Sequence, residues 1–232
     1  MTGSGLLGYW ATAIAPHRLQ EAVAGAPWRG PVSGCAHARM GAVMATGAAT
    51  CASDGEVSVA LHGRIDNADA LARTLRLPAS EPGRLLIAAW RRSGPDFVDD
   101  LLGDFALLLL DRRRGMLLAA RDWLGTRPLF WGQHDGIVAF GSEVRQVLAV
   151  LDRPYLLDED VVAAYEELGD MELTATFARG VHAVPPSGQV LLRHGHAPQV
   201  GTRPICFEPL DVTADEAARL VRERLEIAVA RR

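Results

Sequence analysis

Phe105-Ala-Leu-Leu-Leu-Leu-Asp111 decides the fold. A strand with one wet face alternates apolar and polar residues, and this run does not alternate, so both of its faces must be covered. The charged stretch Arg112 to Gly115 reads as a hairpin turn closed by a glycine. Met116 to Arg121 returns as the partner strand. Leu129 to Gly132 and Ile137 to Gly141 form a second hairpin around His134-Asp135-Gly136, after which Ser142 is expected to cap a helix over 143–150. Upstream, Gly5 to Ile14 and Glu56 to Leu61 read as strands, and 27–34 is turn-rich. A helix capped by Asn67 carries Ala70, Leu71 and Leu75 on one face, and a second begins near Ser80. Downstream come a helix over 158–168, a loop at Pro185-Pro186, a strand over 189–193, and a final helix opened by a capping box of Thr213 and Glu216. Doubly covered hairpin strands with helices before and after predict an α+β fold with an antiparallel sandwich.

Composition narrows the function. The 232 residues carry a net charge of -4, which excludes a dominant attraction to nucleic acid or an anionic membrane. All 24 basic residues are arginine. With no lysine there is neither a Schiff base nor a Walker-type phosphate loop. Three scattered cysteines, Cys35, Cys51 and Cys206, form no CxxC pair, and the N-terminus lacks a signal peptide; together they predict a reduced, cytoplasmic protein. No stretch has the length of a membrane span. His194-Gly-His196 has no further ligand at metal spacing, so no metal site is expected.

Six segments in order resemble the glutaminase half of the class II (N-terminal nucleophile) amidotransferases of the asparagine synthetase family. Leu61-HGRIDN resembles NGEIYN. Gly94-PDFVDDLLGDFA and Gly103-DFALLLLD resemble the approach to, and the body of, the GxFAFxLxD strand. Ala120-RDWLGTRPLFW resembles ARDxxGxxPLYY, Phe140-GSEVRQVL resembles FASExKAL, and Thr176-FARGVHAVPPSGQVLL resembles TxFxGIxxLPPGxxL. The resemblance implies a four-layer αββα sandwich of two antiparallel sheets, Ntn-hydrolase-like. It implies a degenerate glutaminase-like domain over 1–205, with 206–232 as linker and first helix of a C-terminal synthetase domain. That further domain, which would bind ATP and Mg, lies beyond Arg232; no cofactor is expected in this chain.

The same resemblance marks what has changed. An active member opens on a cysteine whose thiolate attacks the glutamine amide while its own α-amine acts as base. This chain opens Met1-Thr2-Gly3, and Thr2 is a remote substitute nucleophile at best. The asparagine of NGEIYN that helps bind the oxyanion is His62 here, with Gly63 kept. The family's GSD motif falls on Ser80-Glu81-Pro82, so Pro82 stands for the aspartate that holds the substrate ammonium. The arginine that grips the substrate carboxylate is Arg39, in His37-Ala38-Arg39-Met40. Arg121 and Asp122 read as a structural ion pair and turn cap before Gly125, and with Arg127 they fall in a segment expected to form an interdomain surface. Family members that lost the cysteine, β-lactam synthetases and lasso-peptide cyclases, use an amine already on the substrate. The expectation is therefore a non-hydrolytic scaffold domain of an ATP-dependent amide-bond-forming enzyme, foremost a lasso-peptide macrolactam cyclase with a precursor peptide as a further partner. The alternatives are an asparagine synthetase using glutamine or ammonia, and a stand-alone binding module for a separate synthetase.

Overall fold

The computed structural model describes residues 3–12, 14–38, 40–204 and 207–231. Twelve strands make two six-stranded antiparallel sheets. In chain order they are β1 (Gly5–Trp10), β2 (Val32–Ala38), β3 (Gly41–Thr46), β4 (Thr50–Ser53), β5 (Val57–Ile65), β6 (Gly103–Asp111), β7 (Met116–Arg121), β8 (Phe130–His134), β9 (Ile137–Gly141), β10 (Val181–Ala183), β11 (Gly188–Arg193) and β12 (Gln199–Thr202). The helices are α1 (Pro16–Ala24), α2 (Ala68–Leu75), α3 (Pro82–Ser93), α4 (Val144–Leu151), α5 (Glu159–Leu168) and α6 (Ala214–Ala230). The first sheet runs β10-β8-β9-β1-β3-β2 and the second β12-β11-β7-β6-β5-β4.

Three apolar clusters separate four layers. Leu6, Val43, Phe140, Ala106, Leu108, Leu110 and Ala119 fill the space between the sheets. Phe105, Leu107 and Leu109 turn the other way, onto Leu86, Ile87 and Trp90 of α3. Leu7, Tyr9 and Met44 meet Ala22 of α1 and Val147 and Leu151 of α4 on the outer face of the first sheet. The arrangement is α-β-β-α. β6 is covered on both faces, which is why its leucines show no alternation: odd residues face helices and even residues face the opposite sheet. At about 25 cal/mol per Å² of apolar surface, this double burial makes a polar substitution costly on either face of β6.

Two expected caps are spent elsewhere. The Ser142 Oγ accepts the Leu6 N–H at 2.9 Å, tying β9 to β1, and the cap of α4 is Glu143, in a reciprocal box with Gln146. The Asn67 amide donates to the Asp100 carbonyl at 2.8 Å and accepts from the Leu102 N–H at 2.9 Å, bracing the approach to β6 rather than α2. In both cases a long-range backbone partner outcompetes the local one. Thr213 does accept from the Glu216 N–H at 3.3 Å.

The chain divides into two units, 1–202 and 203–232. The second carries α6, none of whose residues is buried.

Candidate functional site

The site lies at one end of the larger unit, where four backbone segments are locked by polar side chains. Gly3 and Ser4 lead into β1. The Gly3 N–H donates to the Trp28 carbonyl at 2.8 Å, and Arg29 donates through a terminal guanidinium nitrogen to the Ser4 carbonyl at 3.0 Å. Arg29 is itself held by Glu143, through Nε at 2.8 Å and a terminal nitrogen at 2.7 Å. Glu143 also accepts from the Trp28 indole at 3.1 Å, and the Arg145 guanidinium stacks 5.6 Å from that ring. Gly47, at φ 60°, packs so tightly against this entry that an added Cβ would lie 2.0 Å from the Gly3 carbonyl oxygen. The head of β1 is thus fixed by a half-buried ion pair and close backbone contacts.

Opposite, β5 brings His62 to the edge of the inter-sheet space. His62 shares a strand face with Ala60, one of the residues between the sheets, and pairs in register with Ala106 of β6. The imidazole is 3% exposed and its Nδ1 has no hydrogen-bond partner. Burial, then the positive charges of Arg127 and Arg29, pull its pKa from 6.5 down to about 4. His62 is therefore a neutral imidazole near neutral pH. The next residue, Gly63, has φ 116°, and a Cβ there would stand 1.9 Å from the Asp104 carbonyl oxygen, so only glycine fits. Beyond it Arg64 bridges Asp66 at 2.6 Å and Asp104 at 3.0 Å.

Arg127 comes from the loop after β7, and Asp122 builds that loop. Its carboxylate accepts from the N–H groups of Phe105 (3.1 Å), Leu124 (2.9 Å) and Thr126 (3.0 Å) and from the Thr126 hydroxyl (2.7 Å). Arg121 donates through Nε to the Arg127 carbonyl at 2.8 Å and through its terminal nitrogens to the carbonyls of Val184 and Gly125. Burial lowers the Arg121 pKa and the neighbouring Asp122 opposes that shift. Arg121 is 9% and Asp122 1% exposed, and their polar atoms hold their own loop before Gly125. Arg127 stays half-buried, with no carboxylate of the described residues within ion-pair distance and its Nε unpartnered.

The structure thus brings His62, Gly63 and Arg127 to one end of the sandwich. Pro82 is the first residue of α3, on the outer face of the second sheet, whereas His62 uses the inner face. The adjacent Glu81 carboxylate pairs with Arg84 at 3.2 Å. Thr2 and Arg39 lie outside the described residues. Sequence reading missed Arg29 and Glu143. They sit 114 positions apart, and the only local signal was the Trp28-Arg29-Gly30 turn. Of the cysteines, Cys35 is in β2 and Cys51 in β4, each within a strand, so neither carries a free α-amine. Among the described residues no group of three or more His, Cys, Asp or Glu could hold a metal ion, and no helix is long and apolar enough to cross a membrane.

Residues 24–200 match the family model described as the glutamine amidotransferase domain. The chain belongs to that family. The domain is 28% identical over 136 residues to asparagine synthetase [glutamine-hydrolyzing] 3 of Bacillus subtilis, across 56% of this chain and 22% of that protein. It is 37% identical over 97 residues to asparagine synthetase [glutamine-hydrolyzing] 3 of Arabidopsis thaliana, across 40% of this chain and 17% of that protein. The matched part is thus less than a quarter of either relative. The glutamine phosphoribosylpyrophosphate amidotransferase of B. subtilis superposes with a TM-score of 0.57, at 17% identity, over 85% of this chain and 49% of that one, and shares the fold.

Proposed function

We propose that this amidotransferase domain does not hydrolyse glutamine and serves as the scaffold of an ATP-dependent amide-bond-forming enzyme, with lasso-peptide macrolactam formation as the leading reaction. The observation that carries the reading is the content of the site. The described residues leading into β1, Gly3 and Ser4, carry no thiol, and a buried neutral imidazole stands where the resemblance puts an oxyanion-binding amide. Without a thiolate there is no covalent acyl intermediate, and neither Arg29 nor Arg127 substitutes for it, because a guanidinium is not a nucleophile. What the residues do is hold structure: Glu143 fixes Arg29, Arg29 fixes the head of β1, and Asp122 with Arg121 fixes the loop that carries Arg127.

Loss of ammonia supply is harmless when the substrate brings its own amine. In that case a carboxylate is activated as an acyl adenylate with release of pyrophosphate, and the tethered amine displaces AMP. On this proposal those steps, with ATP and Mg, belong to a synthetase domain joined to this one, and none is assigned to residues of this chain. A second reading, an asparagine synthetase fed by glutamine or free ammonia, is favoured by the names of the relatives.

One experiment separates them. The longer protein carrying this domain is incubated with ATP and a peptide bearing a free N-terminal amine and an internal Asp or Glu. Macrolactam formation appears as loss of one water from the peptide together with AMP, and with no ammonia formed from glutamine. Asparagine made from aspartate, with either nitrogen source, contradicts the cyclase reading.

A further inference from the structure

Among the described helices of residues 1–202, α5 alone has no buried residue, although the fold positions it firmly. At its entry the Asp158 N–H donates to the Phe177 carbonyl and the Arg179 N–H to the Leu156 carbonyl, each at 2.9 Å. Asp158 caps the first turn by accepting from the Val161 N–H, and Gly169 closes the last turn at φ 68°. Tyr165 stands edge-on to Phe177, with ring centroids 5.6 Å apart. A short helix is marginal in water unless a face of it is packed. Here such a face exists and the described residues leave it open. Val161, Ala164 and Leu168 recur at helical spacing and, with Met171 and Ala175 of the loop that follows, line a groove of about 570 Å³. Leu168 is 75% exposed, and Leu173 in that loop 72%. The charge around the groove is one-sided. Residues 154–178 hold seven carboxylates and no arginine, lysine or histidine, in a chain whose net charge is only -4. None of the seven enters an ion pair among the described residues. Asp158, Glu159 and Asp160 suit the positive end of the helix dipole. Glu166 and Glu167 do not: they stand in the last turn, where the dipole favours cations, with Asp170 and Glu172 just beyond. The fold gains nothing from acids there, whereas a cationic partner would.

We propose that the α5 groove binds a basic amphipathic helix supplied by a separate polypeptide. Charge complementarity names its chemistry: apolar side chains of leucine size for the groove, and arginine or lysine for the acidic rim, in the helix-in-groove mode of recognition. The same charge favours a partner in trans. A domain joined to this one is already held at high effective concentration, and permanent interfaces are poor in charge at their centre. A strongly one-signed patch instead speeds the encounter with a partner that comes and goes. The chain's own open helix, α6, is unsuited to the groove, since it carries four acids against three arginines.

The test uses the purified protein carrying this domain and a labelled synthetic peptide of about 15 residues, leucine on one helical face and lysine on the other, followed by fluorescence anisotropy. Saturable binding is expected. It should weaken about tenfold in Leu168→Ser, in the double variant Glu166→Gln with Glu167→Gln, and with a peptide of the same composition scrambled so that its leucines encircle the helix. Added salt should weaken it further. The substituted side chains are exposed, so the variants keep the fold. Glu223→Gln, on α6, should change nothing. Equal binding of the scrambled peptide, or an affinity unchanged in Leu168→Ser, overturns the site by reducing it to non-specific charge attraction. Absence of binding overturns it too, and maleimide labelling of Leu168→Cys, set against the native chain, then tells how. Slow labelling means that the rest of the longer protein covers the groove; fast labelling means that the groove is open and takes no such helix.

Discussion

Acid should destabilise this domain through His62 in particular. In the folded chain the imidazole titrates at about 4, against 6.5 when free, for reasons of burial first and of Arg127 and Arg29 second. As pH falls below 6.5 the unfolded chain takes up the proton first, so stability begins to drop there and the loss is complete once pH is below about 4. Above 6.5 the ring is neutral in both states and contributes no pH dependence. A shift of that size corresponds to about 3.4 kcal/mol, and solvent at the exposed Gly63 next door screens it to about 2 kcal/mol. Carboxylates also respond to acid, so the contribution is isolated by difference. Urea unfolding at pH 7.5 and pH 4 is compared between the native chain and His62→Gln. The native chain should lose about 2 kcal/mol more than the variant over that range. Arg127→Gln removes one cause of the depressed pKa and should fall in between. Equal pH-induced losses in the native chain and His62→Gln would refute the reasoning, since the ring would then titrate alike in both states.

Asp122→Asn keeps the volume but loses the charge that four donors converge on, and should cost about 3 kcal/mol with greatly increased amide exchange at Leu124 and Thr126. Ser142→Ala leaves the Leu6 N–H without its acceptor at the head of β1 and should cost about 1–3 kcal/mol by urea unfolding, with α4 intact by circular dichroism because Glu143 caps it. Gly63→Ala combines φ 116° with a Cβ against the Asp104 carbonyl, and should lower the melting temperature by well over 10 °C; a fall of a degree or two would mean the strand end can shift freely.

Much of the fold was legible because β6 states its surroundings. Six apolar residues without alternation require two covering layers, and the hairpin glycine at Gly115, φ 59°, fixes how the chain returns. The segments around His62 and Arg127 also carry recognisable local patterns, although the sequence pointed to an interdomain surface for Arg127 rather than to the neighbourhood of His62. What the sequence did not announce was distance-spanning chemistry. Arg29 reaches Glu143 across 114 positions, Ser142 serves Leu6 across 136, and Asn67 serves Leu102 rather than its own helix. Ser and Asn beside a helix start look like caps, and a tertiary backbone donor in reach simply competes better. The burial of Arg121 and Asp122 was hidden for the same reason. Charged pairs default to the surface, and the carbonyls of Val184, Gly125 and Arg127, with the neighbouring Asp122, help make a buried guanidinium tolerable.

The claim that matters most is that glutamine passes this domain unchanged. Purified protein carrying the domain is given glutamine, and ammonia is followed with an enzyme-coupled assay, with Thr2→Ala and Ser4→Ala variants alongside. The account predicts release no faster than in buffer, identical in all three proteins. Ammonia production that saturates with glutamine and disappears in either variant would contradict it.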